Sequence, residues 1–217
     1  MTQGADLGDL TGRALRLLHR APSGKRVLIG IAGAPGAGKT TLATALAAAL
    51  TAAGTEVAHV PMDGFHLADA ALDRLGLRDR KGAPETFDPG GYAALLSRIA
   101  AGEAVWAPSF ERDLEQPIAQ AICVPSTARI VVSEGNYLLL PAPEWQAAAA
   151  CFDEIWYCQL DDEVRRERLV SRHVQFGKTE EQARAWVDRL DEGNARLVSA
   201  TAHAADLLVR PVCRSRP

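Results

Sequence analysis

The sequence predicts an α/β protein built on a doubly wound, mainly parallel sheet. Three observations carry this. Short apolar runs of strand length alternate with longer stretches of helical periodicity. The first apolar run leads straight into a glycine-rich loop, and an alanine-rich helical stretch follows that loop. The chain has 217 residues, 47% hydrophobic and 24% charged, which is one domain's length with enough apolar surface to bury a core. Such a composition excludes a disordered, collagenous or coiled-coil chain.

Taken in order, residues 5–20 carry Leu7, Leu10, Ala14, Leu17 and Leu18 at helical spacing, and Pro22-Ser23-Gly24 ends that amphipathic helix. Residues 1–22 are thus the N-terminal helical segment of a single domain over 1–217. Val27-Leu28-Ile29-Gly30-Ile31-Ala32 shows no polar alternation, as expected of a strand buried on both faces. Residues 57–62, 130–133 and 155–160 read as further buried strands, and 207–210 as a weaker last one. Helical stretches lie between them at 92–100, 162–176 and 179–198. Gly177 separates the last two, and Thr179-Glu180-Glu181-Gln182 spells a capping box. Residues from about 161 to 200 therefore read as a helical, arginine-bearing lid. A sheet wound this way opens its ligand site at the carboxyl ends of its strands.

The formal net charge of -3 supplies no basic field for a phosphate backbone, so nucleic acid is not an expected partner. Asp6, Asp9, Arg13, Arg16, Arg20 and Lys25 interrupt the leading residues, and the apolar stretch 42–53 is shorter than the roughly 20 residues that span a bilayer. Neither export nor a membrane partner is expected. Cys123, Cys151, Cys158 and Cys213 show no C-x-x-C spacing, which points to reduced thiols and a cytoplasmic setting. The sequence leaves a homodimer open.

Gly33-Ala34-Pro35-Gly36-Ala37-Gly38-Lys39-Thr40 fits G-x-x-x-x-G-K-[ST] in full, between a strand and a helix. Its glycines let backbone N–H groups approach an anion, and the helix N-terminus adds its dipole. Lys39 supplies a point charge for the β- and γ-phosphates, Thr40 a hydroxyl ligand for Mg²⁺, and Thr41 a cap at the phosphate end. A glycine turn that merely starts a helix leaves the lysine and the spacing unexplained. ATP and Mg²⁺ are the expected ligands. No [NT]-K-x-D guanine signature is present, and the D-x-x-G of Asp79-Arg80-Lys81-Gly82 follows a polar stretch, so a GTPase is not expected. An ATP-driven machine needs a longer chain with a second module. A chain of this size favours phosphoryl transfer to a small molecule.

Asp63 stands just past the end of a strand, where its carboxylate can take the proton of an attacking hydroxyl, orient that hydroxyl, or reach Mg²⁺ through water. A turn or N-cap aspartate is the structural alternative. Ile130-Val131-Val132-Ser133-Glu134-Gly135 is an apolar strand ending in an acid, so Glu134 is either a metal-side acid opposite Thr40 or a capping glutamate. At about 100° per residue, Arg165, Arg168 and Arg172 share one helix face and Arg166 does not. That face either closes over a triphosphate and meets the charge of the transferred group, or is an ordinary solvated face paired with Asp162 and Glu163.

Beyond the loop, the chain carries Asp63-Gly64-Phe65, then Gly76-Leu77-Arg78-Asp79-Arg80-Lys81-Gly82-Ala83-Pro84-Glu85-Thr86-Phe87-Asp88, Pro108-Ser109-Phe110 and Glu134-Gly135-Asn136. Over residues 27–210 it resembles the P-loop kinases that include uridine kinase, bacterial pantothenate kinase and phosphoribulokinase. The resemblance implies Asp63 as catalytic carboxylate and Arg172 as the lid arginine. It also marks Asn194 as a substrate-side residue, with an ordinary helix-breaking asparagine as the alternative. Where pantothenate kinase has a tyrosine and then a histidine, this chain has Phe110 and Arg112. Arg112 favours a carboxylate, a phosphate or several sugar hydroxyls, or else forms a surface ion pair with Glu111 or Glu115. The pattern is more similar to small bacterial nucleoside or nucleotide kinase-like proteins, including kinases associated with fructose transport.

The expectation is therefore an ATP- and Mg²⁺-dependent kinase acting on a nucleoside- or sugar-like hydroxyl. His66, Phe110, Arg112, Tyr137 and Asn194 join Asp63 as acceptor-side candidates, by their places beside the motifs. A fructose or pantothenate-like acceptor, a nucleotide-responsive regulator without turnover, and a slow ATPase stand as alternatives.

Overall fold

A computed structural model describes residues 6–210. Its elements run α1 (Leu7–Arg20), β1 (Val27–Ala32), α2 (Lys39–Ala52), β2 (Val57–Pro61), α3 (Asp69–Leu75), α4 (Pro89–Ala100), β3 (Val105–Glu111) and β4 (Gln116–Val124). Then follow β5 (Ile130–Gly135), α5 (Pro143–Ala149), β6 (Glu154–Cys158), α6 (Asp162–Gln175), α7 (Glu180–Trp186), α8 (Glu192–Ser199) and β7 (Leu207–Val209).

Five strands form one sheet in the order β2-β5-β1-β6-β7, and every neighbouring pair is parallel. The predicted doubly wound sheet is thus present. All six residues of β1 are buried, because helices cover both faces. Val27, Ile29 and Ile31 pack with Ile130, Val132 and Trp156 against Leu10, Ala14, Leu46 and Leu50 of α1 and α2. Leu28 and Ala32 turn the other way, with Val131, Ile155 and Tyr157, onto Tyr92 and Leu96 of α4, Trp145 of α5 and Val198 of α8. The two-residue alternation of β1 thus divides the interior into two apolar layers.

Arg26 is 2% exposed just before β1. Its guanidinium donates to Ala128 O (3.0 Å), Ile99 O (3.0 Å), Glu103 O (2.8 Å) and Pro125 O (2.7 Å), so the last carbonyls of α4 and the turn before β5 share one cation.

Several boundaries depart from the sequence expectation. β2 stops at Pro61, because Met62 opens a 3₁₀ turn over Met62–Phe65. β5 continues to Gly135, and β6 spans Glu154–Cys158. The helices α3 and α5 have seven residues each, too few to show a helical period in sequence. The antiparallel hairpin of β3 and β4, outside the main sheet, is also unanticipated; Pro108 and Pro117 weaken its strand signal.

In the lid, Asp161 caps α6, Gly177 follows it at φ 95°, and Thr179 and Gln182 form the predicted capping box. The single helix expected over 179–198 is interrupted by a π-helical turn at Val187–Asp191. At the end of that turn Asp191 meets His173 at 3.0 Å, and just after it Glu192 meets Arg165. Cys123 is exposed, Cys151 half-buried and Cys158 buried, all as free thiols, while Cys213 lies outside the described residues. No helix among the described residues is long and apolar enough to cross a membrane.

Candidate active site

The loop of residues 33–40 joins β1 to α2 at the carboxyl end of the sheet. Two glycines are required by what surrounds them. Gly36 has φ 79°, and a Cβ there would lie 2.8 Å from Leu169 Cγ and 2.9 Å from Arg165 O of the lid. At Gly33, φ 154°, a Cβ would lie 2.6 Å from Cys158 O at the end of β6.

Lys39 is buried, and its Nζ donates to Ala34 O at 3.1 Å and Asn136 Oδ1 at 2.6 Å. Burial lowers its pKa from the ordinary lysine value, against the pull of Glu134 and Asp63. Thr40 Oγ1 donates to Glu134 Oε1 at 2.9 Å. Burial, then the neighbouring charge of Asp63, push the Glu134 carboxyl up to about 7, against Lys39 and the Thr40 hydroxyl. A hydroxyl and a carboxylate touching on a cavity wall, with Asp63 close enough to perturb the carboxylate, are hard oxygen donors that fit Mg²⁺.

Asp63 is carried on the 3₁₀ turn after β2, and that turn is wedged against the hairpin. A Cβ on Gly64 would lie 2.4 Å from Pro108 O. Asp63 Oδ2 accepts from Arg112 Nη2 at 3.3 Å, and Asp63 O contacts His66 Nδ1 at 2.8 Å. The His66 ring lies 3.9 Å from Phe87 and 4.7 Å from Phe110 between centroids, and burial lowers its pKa from 6.5.

One cavity of about 400 Å³ brings these groups together. Pro35, Gly36, Lys39, Thr40, Glu134 and Arg172 line it, with Asp63, His66, Phe110, Arg112 and Asn194. Burial and then Arg112 lower the pKa of Arg172. Asn194 Nδ2 donates to Gly82 O at 3.3 Å. A larger groove of about 800 Å³ lies between α6 and α7, lined by Arg166, Val170 and Val187, and includes none of the motif residues.

Eight expected residues do not line the cavity. Arg165 is 1% exposed and does not line the cavity. Its guanidinium contacts Pro35 O at 3.3 Å, Asp162 at 3.1 Å, and Glu192, so it ties the lid to the loop. Helical phase put Arg165 with Arg172, but the first turn of α6 packs on the loop and only the last turn reaches the cavity. Arg168 is also outside the cavity wall; its Nη1 lies 3.6 Å from where a Gly38 Cβ would be. Tyr137 is fully buried, donates to Gly82 O, and packs its ring on Phe87 and Trp145 behind the wall. Thr41 is exposed on α2, and Gly33, Ala34, Ala37 and Gly38 form the part of the loop behind the cavity.

Conversely, Asn136, Lys81, Asp69 and Asp191 line the cavity without having been singled out. Asn136 had a signal, two residues past Glu134 at a strand's carboxyl end. Lys81 stood inside the quoted stretch 76–88 without a role, and Asp69 and Asp191 reach the site only through tertiary packing.

A parallel sheet of this order, a complete phosphate loop and an acid ending the adjacent strand define a P-loop nucleotide-binding protein. A family model described as the methylmalonyl Co-A mutase-associated GTPase MeaB matches residues 8–70, under a third of the chain, from α1 to the start of α3. A Schizosaccharomyces pombe protein named "Putative uridine kinase" is 37% identical over 212 residues, covering 93% of this chain and 89% of that protein. The crystal structure of a "putative fructose transport system kinase" from Silicibacter sp. TM1040 superposes with a TM-score of 0.86 at 39% identity, covering 94% of this chain and 99% of the other. The ATP-dependent kinase YFH7 of Zygosaccharomyces rouxii is 29% identical over 64% of this chain and 47% of its own length. The chain belongs to the P-loop kinases of the uridine kinase branch. It is a kinase.

Proposed function

We propose that the protein moves the γ-phosphoryl group of ATP to a hydroxyl of a small nucleoside- or sugar-like acceptor, with Mg²⁺ as the metal. The supporting observation is that Asp63 shares one cavity with Lys39, Thr40 and Glu134, so an acid of the acceptor side faces the phosphate loop directly. The acceptor oxygen bonds to the γ-phosphorus, the β–γ bridging P–O bond breaks, ADP leaves, and the hydroxyl proton passes to Asp63. Lys39 and Arg172 meet the charge on the moving group. Thr40 and Glu134 would hold Mg²⁺, which would supply charge neutralisation for the phosphates.

The test is ATP consumption with Mg²⁺ against a panel of nucleosides, hexoses including fructose, pantothenate and small hydroxy compounds, beside Asp63→Asn. One compound should raise turnover well above background, and the variant should abolish that increase while still binding ATP. Binding of ATP with no compound accelerating its consumption, and no effect of Asp63→Asn on any response, would sink the proposal in favour of a regulator.

A further inference from the structure

We propose that the acceptor carries an oxyanion, a carboxylate or a phosphate, and that Arg112 binds it and, until it arrives, occupies Asp63 in an ion pair. This rests on the phosphoryl-transfer function above. Arg112 stands just past β3, and its Nη2 makes a single 3.3 Å contact with Asp63 Oδ2. A guanidinium and a carboxylate that are each other's settled partners form a shorter, two-pronged fork. The Arg112 side chain is 42% exposed, so it can swing away at little cost.

Arg172 converges on the same cavity from the lid without a hydrogen bond or ion pair among the described residues, and Arg112 is the foremost charge acting against its protonated form. Two guanidinia facing one space, with one carboxylate in direct contact, form a setting that an anion completes. The γ-phosphate, approached from Lys39, accounts for Arg172. Arg112 belongs to the other wall, with His66, Phe110 and Lys81.

That wall holds further positive charge. Lys81 Nζ lies 2.7 Å from Asp69 Oδ1 and 5.6 Å from the Phe110 ring centre, while Arg78 contacts Asp69 Oδ2 at 2.7 Å. Asp69 therefore lies between the two cations, and Arg78 also reaches Asp73 Oδ2 at 3.3 Å. Glu115 also lines the cavity, and its carboxylate makes no ion pair among the described residues. His66 stays neutral at neutral pH and stacks with Phe87 and Phe110, giving the carbon skeleton of a compact acceptor an apolar floor. An acceptor that takes Arg112 releases Asp63 for its hydroxyl; a neutral acceptor leaves the pair closed. Discrimination by a polar group that the acceptor must pair is stronger than discrimination by size.

The experiment is calorimetric titration of the protein, loaded with Mg²⁺ and a non-hydrolysable ATP analogue, against matched pairs. These are glycerol and D-glycerate, D-glucitol and D-gluconate, D-fructose and its 6-phosphate, D-ribose and its 5-phosphate, and uridine and its 5′-monophosphate. In at least one pair the anionic member should bind about ten-fold tighter or more, and the pair that responds tells carboxylate from phosphate. Arg112→Gln should shrink that margin to about three-fold or less, and Arg112→Lys should keep part of it. No margin in any pair, or a margin that survives Arg112→Gln, overturns the proposal. Turnover with ATP itself separates the two levels. A neutral member phosphorylated as efficiently as its anionic twin overturns the oxyanion and leaves phosphoryl transfer standing. An anionic member that binds through Arg112 and is never phosphorylated upholds the anion site and overturns transfer.

Discussion

Thr40 Oγ1 and Glu134 Oε1 are hydrogen-bonded at 2.9 Å, closing the first turn of α2 onto the end of β5. The pair joins the phosphate loop to the strand beside it, and it does so with a carboxylate that burial raises to about 7. A charge is thus held in a poor environment at the place where a metal cation would stabilise it.

Glu134→Gln keeps the shape and the hydrogen-bonding capacity and removes only the charge. Turnover should fall by about two orders of magnitude, the usual scale for losing one electrostatic stabiliser, and the Mg²⁺ concentration for half-maximal rate should rise. The metal-free variant should melt at or above the parent temperature, since a buried acid has been neutralised. A Mg²⁺ titration of the rate with parallel thermal melts checks both, and an unchanged Mg²⁺ requirement would remove Glu134 from the metal.

Arg165 predicts a different failure. Its guanidinium joins Glu192 of α8 to Pro35 of the loop while almost wholly buried. Arg165→Met should destabilise the protein by about 3 to 5 kcal/mol, because it leaves Glu192 with a weakened set of partners in a dry setting. Adding Glu192→Leu should recover much of that loss. Denaturant melts of the three proteins measure it, and a variant of parental stability with a much lower kcat would instead return Arg165 to the phosphates.

The contrast between Arg165 and Arg172 marks how far the sequence could be read. Strands β1, β5 and β6 were legible because runs such as 27–32 are apolar on both faces, and the loop because its spacing is fixed by backbone geometry. Asp63 and Glu134 were legible because strand ends in such a sheet face the ligand. Helical phase alone grouped Arg165, Arg168 and Arg172, yet which turn of α6 touches the loop depends on Gly36 meeting Leu169, a contact 133 positions apart in the chain and invisible to periodicity. The hairpin behind Asp63 was hidden for a local reason, the prolines in both strands.

That hairpin makes Gly64 sensitive. A methyl group there would meet Pro108 O at 2.4 Å and Pro108 C at 2.7 Å, backbone atoms that cannot rotate aside. Gly64→Ala should push the 3₁₀ turn off β3 and carry Asp63 with it, lowering kcat by about a hundred-fold, as a roughly 1 Å misplacement does. ATP binding should change far less, since the loop of residues 33–40 connects β1 to α2 and is not part of the hairpin. A nucleotide titration beside single-turnover rates decides it, and a fully active variant would show that the hairpin does not position Asp63.

His59 on β2 carries the last prediction. Its Nε2 is buried without a hydrogen-bond partner among the described residues, and burial lowers the imidazole pKa from 6.5. The folded form therefore holds His59 neutral at a pH where the unfolded chain already accepts a proton. Stability from this group is complete above about pH 6.5 and is lost as the pH falls towards the lowered native value. His66, lowered by burial in the same way, adds to the same slope. Urea melts should show the parent weakening between pH 7.5 and pH 5.5, and His59→Leu weakening less over that interval, by about 1 kcal/mol. At pH 7.5 the variant should be at least as stable as the parent, because an unsatisfied nitrogen has been replaced by apolar volume on a strand already packed on α2. An identical acid slope in both proteins would mean that His59 gains a proton partner or reaches solvent in the native state, and the burial assigned to it would be wrong.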